Sequence, residues 1–146
     1  MKKNTLKLNQ LCIVGKFNID DYIVFGINKN NILNLILTKN KITELCNLPS
    51  EIQYVDCSHN SIEMLDNLPF NLKKIICHHN KLKNLDYLPE GLETIDCSYN
   101  DIVNLDNLPM SIINLKCSYN NIVNLDNLPK TITIIKCSHN KYKQFK

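Results

Sequence analysis

Apolar positions return along this chain at fixed offsets. Ile52, Val55, Cys57, Ile62, Leu65 and Leu68 are followed 20 residues later by Leu72, Ile75, Cys77, Leu82, Leu85 and Leu88. The unit that begins at Leu48, LPSEIQYVDCSHNSIEMLDN, recurs as LPFNLKKIICHHNKLKNLDY, LPEGLETIDCSYNDIVNLDN, LPMSIINLKCSYNNIVNLDN and, incompletely, LPKTITIIKCSHNKYKQFK. Asn40, Asn60, Asn80, Asn100, Asn120 and Asn140 mark the same period of 20, and all but the first stand three residues after a cysteine. Self-similarity at one period is the sequence signature of a solenoid. Within a unit, the alternation of Val55 and Cys57 predicts a short strand with both side chains inward. Asn60 then ends the strand, because its amide both donates and accepts and so serves backbone groups in its own coil and the next. Ile62, Leu65 and Leu68 return the chain, and Pro69 stops strand pairing and fixes an extended turn.

The pattern L-x-x-L-x-C-x-x-N-x-L-x-x-L-x-x-L-P resembles the leucine-rich repeat at every framework position, with Cys in the third leucine slot. The resemblance covers residues 32 to 146. It implies an α/β-type solenoid: a leucine-rich-repeat horseshoe with a parallel β-sheet on its concave face. Return segments are then irregular or short turns, with little α-helix outside the N-terminal region. The 20-residue unit with Leu-Pro in the return segment is similar to the short repeats of secreted bacterial effectors. The Asn, Ile and Lys bias with Cys in the strand resembles repeat proteins of giant, mimivirus-like amoebal DNA viruses. The motif speaks for fold more than for function, since leucine-rich repeats serve many unrelated binding roles.

The expected organisation is one domain over 1–146: a degenerate N-terminal cap at 1–27, about six repeats over 28–140, and a minimal C-terminal cap at 141–146. Ile32, Leu35, Leu37, Asn40, Ile42 and Leu45 make a good first unit, with Lys29 where proline stands later. A solenoid end must cover an open core. Phe17, Tyr22 and Phe25 are bulky enough to do so at one end. Tyr142 and Phe145, among Lys141, Lys143 and Lys146, form an aromatic and basic lid at the other, which also discourages edge pairing.

Bulk composition excludes several classes. Hydrophobic residues make up 44% and net charge is +3, which suits one folded domain of 146 residues and not a disordered chain. No apolar run approaches the ~20 residues of a membrane span. The start MKKNTLKLNQLCIVG is charged, but Leu11 to Val14 is too short for a signal peptide, so a cytoplasmic protein is expected. For a viral chain the compartment is the host cytoplasm. All 17 basic residues are lysine, alanine is absent, and Asn and Ile occur 23 and 19 times. That bias reflects AT-rich codons, and the lack of arginine weakens a nucleic-acid reading. Cys57, Cys77, Cys97, Cys117 and Cys137 occupy a repeat position where Leu37 stands earlier, so they read as small core hydrophobes. A sulfur spacing near ~5 Å would also permit stacked disulfides or a metal column.

Positions that vary on the fixed frame define the candidate site. One outward column reads Asn34, Tyr54, Lys74, Thr94, Asn114, Ile134, and the next Ile36, Asp56, Ile76, Asp96, Lys116, Lys136. After the cysteines come Thr38, Ser58, His78, Ser98, Ser118, Ser138, then Lys39, His59, His79, Tyr99, Tyr119, His139. Rings of this kind favour binding hot spots, although Ser-His-Asn is also common framework filler and drift on a solvated face would vary equally. Expected partner-binding residues are Tyr54, Asp56, His59, Lys74, His79, Asp96, Tyr99, Lys116, Tyr119, Lys136 and His139. The Asn column and the Cys column are structural. His59, His78 and His79 are the best metal suggestion, with His59 and His79 one strand apart and able to share a zinc. No third ligand is evident, since Cys77 should point inward, so the reading assigns no metal and no cofactor. Asp66, Asp86, Asp106 and Asp126, beside Asn67, Tyr87, Asn107 and Asn127, form a column of carboxylates expected to accept backbone N–H bonds at turns.

Gly15, Gly26 and Gly91 are far apart, so no phosphate loop exists, and no Ser-His-Asp or Cys-His pair escapes the repeat register. The expected function is non-enzymatic protein–protein recognition through the concave face. The partner implied by the resemblance is a host protein, with the chain a monomer or weak homodimer. Two alternatives remain: a structural, self-associating protein, and an adaptor that recruits substrate to a ubiquitin ligase on another chain.

Overall fold

The computed structural model describes residues 5–7, 14–18 and 34–142. Its strands are β1 (Thr5–Lys7), β2 (Val14–Asn18), β3 (Asn34–Ile36), β4 (Lys41–Cys46), β5 (Tyr54–Asp56), β6 (Lys74–Ile76), β7 (Thr94–Asp96), β8 (Asn114–Lys116) and β9 (Ile134–Lys136). Seven of them form one parallel sheet in the order β1-β3-β5-β6-β7-β8-β9. From β3 onward each strand pairs with its neighbour in a register of 20 residues, for example Val55 with Ile75 and Ile75 with Ile95. Among the described residues there is no helix, and hence none long and apolar enough to cross a membrane.

The N-terminal region departs from a simple cap. β1 continues the main sheet by pairing with β3, and β2 pairs in parallel with β4 on the return side. Gly15, with φ of +79°, sits where the β2–β4 register shifts, a conformation that glycine adopts without steric cost. Lys16 and Glu44 join the same strands by an exposed ion pair at 3.0 Å. The side chain of Phe17, and residues Tyr22, Phe25, Lys143, Phe145 and Lys146 named above as capping groups, lie outside the described residues. Tyr142 packs against the core and its hydroxyl donates to the Cys137 carbonyl at 2.9 Å.

Each proline acts as the hinge of a tight turn. The carbonyls of Pro49, Pro69, Pro89, Pro109 and Pro129 accept from the N–H three residues on, at 3.0 to 3.2 Å. That turn aims Ile52, Leu72, Leu92 and Ile112 into the core, where all are fully buried. Leu35, Val55, Ile75, Ile95 and Leu115 form the strand layer and Ile42, Ile62, Leu82, Ile102 and Ile122 the opposing layer, again without exposure. The core is therefore one continuous column, which no single coil could enclose alone.

The asparagines bridge coils, and the partner coil is the preceding one. Asn100 Nδ2 donates to Cys97 O, Ser98 O and Cys77 O, while its Oδ1 accepts from Leu82 N at 2.9 Å. Asn60, Asn120 and Asn140 repeat this set, and Asn80 makes its bonds to Cys57 O, Cys77 O and Ile62 N. The carbonyl of residue 57, 77, 97 or 117 thus receives amide protons from two coils, and Asn100 and Asn120, in the middle of the array, are buried.

The cysteines fill the core as expected, with one exception. Cys57, Cys77, Cys97 and Cys117 are buried free thiols, whereas Cys137 is half-buried because no described coil follows it. The buried thiols point toward the next coil's carbonyl: Cys57 Sγ toward Ile76 O, Cys77 Sγ toward Asp96 O and Cys97 Sγ toward Lys116 O, at 3.3 to 3.6 Å. Burial pushes all four thiols well up from the ordinary value, that of Cys117 to about 12. A thiol held protonated is a poor nucleophile and a poor metal ligand.

Two outcomes follow from this packing. In native protein a thiol reagent should modify Cys137 well before Cys57, Cys77, Cys97 and Cys117, and all should react on denaturation. Fast labelling of the four in folded protein would remove them from the core. Asn100→Ala should lower unfolding free energy by about 1 to 3 kcal/mol, the cost of stranding buried backbone groups, as read from urea denaturation. No change would mean that the ladder does not hold the coils.

Candidate functional site

After β3, β5, β6, β7 and β8 the backbone ladder runs on for two more hydrogen bonds. Cys57 N donates to Ile76 O and His59 N to His78 O; Cys77 N and His79 N do the same to Asp96 O and Ser98 O. The residue that ends this extension is left-handed in every coil: Lys39, His59, His79, Tyr99, Tyr119 and His139 have φ between 55° and 58°. Such a φ is uncommon for residues with a Cβ, bulky ones above all. Here the interstrand bond fixes the backbone on one side and the following Asn fixes it on the other, so the strain is imposed by the repeat.

Because the register is exact, the side chains on those residues meet face to face. Ring centroids are 4.4 Å apart for His59 and His79, 4.2 Å for His79 and Tyr99, 4.3 Å for Tyr99 and Tyr119, and 4.1 Å for Tyr119 and His139. Interplanar angles of 8° to 12° make this one continuous stack of five rings. The sequence placed these residues in one outward column, and the structure adds that they stack: His79, Tyr99 and Tyr119 have both faces against a neighbouring ring, while His59 and His139 end the stack with one face each. Partial desolvation and the neighbouring Tyr119 hydroxyl push the Tyr99 phenol up. Desolvation beneath the stack, then the charges of His79, His78 and Lys39, hold the His59 imidazole below its usual 6.5, against an opposite pull from Asp56.

The other expected site residues split between structural and open roles. Asp56 is tied down: its carboxylate accepts from Ser58 N at 3.1 Å and from Ser58 Oγ at 2.7 Å, which accounts for the burial of Ser58. Asp96 accepts from Ser98 N and lies 3.5 Å from the Lys116 ammonium. Lys74 Nζ sits 5.4 Å from the Tyr54 ring centroid, a cation–π contact across adjacent strands. Lys136 and His139 are exposed at the last described coil. The three histidines do assemble. His78 lies edge-on to both His59, at 5.0 Å between centroids, and His79, at 5.3 Å.

The aspartate column works differently from expectation. Asp86 and Asp106 accept from the Asn107 and Asn127 side-chain amides of the following coil, at 2.6 and 2.9 Å. At these two aspartates the carboxylate joins an exposed cross-coil pair of side chains instead of capping a backbone N–H. Two shallow concavities lie on the return side, one lined by Thr43, Glu44, Glu63, Met64 and Asp66 and another by Lys16, Glu44, Cys46, Asn47, Leu48 and Asn67.

Comparison with solved structures settles the architecture. A Shigella effector leucine-rich-repeat domain superposes with TM-score 0.79 at 25% identity over 98% of this chain. YopM from Yersinia enterocolitica gives 0.70 at 33% identity over 76%, and the leucine-rich-repeat domain of APL1B gives 0.71 at 21% over 98%. The fold is a leucine-rich-repeat solenoid. This chain spans 61%, 25% and 52% of those three chains, respectively. No protein-family model matches the sequence, and no curated protein sequence matches it.

The stack has a stability consequence. Ring pairs contribute about 0.5 to 1.5 kcal/mol each beyond area burial, and Tyr99 and Tyr119 share three such contacts. Exposure on the surface lowers the yield. Changing both to Ser should cost about 1 to 3 kcal/mol in urea denaturation, and changing both to Phe should cost little. Equal stability of the Ser and Phe pairs would show that the rings stack without contributing.

Proposed function

We propose that the chain is a non-enzymatic protein-interaction module that engages its partner through the sheet-lined concave face. The observation that carries this reading is the ring stack. It makes a rigid, partly desolvated ridge along five coils, beside outward strand residues that differ from coil to coil. Tyr54, Lys74, Lys116 and Lys136 supply aromatic and basic groups next to the ridge; His79, Tyr99 and Tyr119, stacked on both faces, offer polar edges already fixed in orientation, and His59 and His139 end the ridge. Pre-organised rings lose little entropy on binding, which favours them as anchors. Asp56 and Asp96 shape the strand ends and contribute charge more than direct contact. Likeness to a Shigella effector repeat domain, with likeness to YopM from Yersinia enterocolitica beside it, supports a host protein as the partner and host cytoplasm as the compartment. The same Asn-, Ile- and Lys-rich composition supports a viral source.

A second reading, self-association, draws on Ile134 and Ile135. Ile135 occupies the register of fully buried Leu115 and Ile95 yet is 40% exposed, so core surface is open beside β9 among the described residues. Sedimentation velocity across a hundredfold concentration range separates the two, because self-association alone makes mass rise with concentration.

The partner test is affinity capture from host lysate with mass spectrometry. Tyr99→Ser with Tyr119→Ser, confirmed folded by circular dichroism, should lose capture tenfold or more, about 1.4 kcal/mol. Glu63→Ser with Lys83→Ser, on the return segments, should retain it. The reverse result would place the binding surface on the convex side.

A further inference from the structure

Among the five coils with a core cysteine, only one departs from Ser at the following position. Ser58, Ser98, Ser118 and Ser138 stand where His78 does, so only here do three imidazoles meet. The ligating atoms of His59, His78 and His79 all lie within 4.8 Å of one another. Strand alternation alone would send consecutive side chains to opposite faces. The left-handed turn at His79, φ 55°, instead brings His78 and His79 to the same surface, where His59 joins them from the preceding coil.

We propose that His59, His78 and His79 bind a single divalent ion of the zinc or copper type, with at least one coordination position open to solvent. The donor set selects the ion. Three neutral imidazole nitrogens suit late first-row divalent metals and serve calcium or magnesium poorly, since those prefer oxygen. Three protein nitrogens with an exposed fourth position form an open site, in contrast to the closed four-ligand sites that only stabilise a fold. Core thiols do not compete, because Cys77 is buried beneath the same coil.

The geometry also says which ring adjusts. Zinc–nitrogen bonds of about 2.0 to 2.1 Å require donor atoms about 3.4 Å apart, so the rings must close from their present spread. His59 and His79 are parallel to within 12°, and imidazole lone pairs lie in the ring plane, so one must turn for both to converge. His79 is held on both faces, by His59 and Tyr99, whereas His59 is the last ring of the stack. His59 is exposed and free to turn, and it swings toward His78, already nearly perpendicular to it at 87°. Lys39 occupies the next place in the column, and its charge opposes a cation there. Asp56 provides a partial counter-charge from the strand beneath.

The test is calorimetric titration of the full chain with Zn²⁺ in a non-chelating buffer, together with histidine ring NMR. Saturable uptake of one ion per chain is expected, with shifts at His59, His78 and His79. His78→Ser installs the residue that the other coils carry and so preserves folding; it should weaken binding tenfold or more. Lys39→Asn, which removes a charge and tolerates the left-handed backbone, should tighten binding. His139→Ala should leave it unchanged. The proposal is overturned by no saturable uptake, by half an ion per chain (an ion bridging two molecules), or by equal affinity in His78→Ser and the parent.

Discussion

The asparagine side chain that ties each coil to the one before is the interaction on which the rest depends. A three-residue strand offers too few backbone bonds to fix register by itself. Asn60, Asn80, Asn100, Asn120 and Asn140 add fixed donors and an acceptor at the point where the chain leaves the strand. Their demand is geometric: both coils must present the same backbone groups at the same place. Slippage by one residue would strand those groups in a dry environment and turn the apolar side chains outward, so a single register survives.

That exactness produces the surface. Strands spaced at about 4.8 Å with identical backbone at each coil bring any planar side chain on the left-handed residue within stacking distance of its neighbours. The five-ring stack is therefore a consequence of the ladder beneath it, and it returns some stability for the strained backbone it sits on. It also changes what the surface can offer. Faces inside the stack are consumed, so what the column leaves exposed is edges, hydroxyls and ring nitrogens, together with the lysines alongside. The same geometry, applied at the one coil with consecutive histidines, converges three imidazoles that no other coil could assemble.

The core cysteines show how a repeat position can be satisfied by more than one residue. Leu37 and Cys57 hold equivalent places, both fully buried. A thiol is smaller than leucine but gains a weak bond to the next coil's carbonyl, and burial keeps it protonated and unreactive. At this position the thiol therefore contributes packing and a weak contact to the next coil.

Much of this protein is legible in its sequence, because period, apolar spacing and the invariant Asn are properties of one coil repeated. Fold class, strand positions such as Val55 and the inward-facing core list follow from that local pattern, although Cys57 falls one residue past β5 and Ser58 of the outward columns is buried. Three things were decided only by packing between coils. The direction of the Asn bridge, to the preceding coil, depends on which carbonyls stacking leaves open. The face-to-face rings arise from a left-handed backbone that no ordinary reading assigns to Tyr or His. The meeting of His78 with His59 and His79 needs both the turn at His79 and the neighbouring coil. Segments that break the period, such as β1 and β2, escaped the sequence for the converse reason: their partners β3 and β4 lie almost 30 residues away and off the repeat. A periodic sequence specifies what each coil buries; where side chains of different coils touch is fixed only once the coils are stacked.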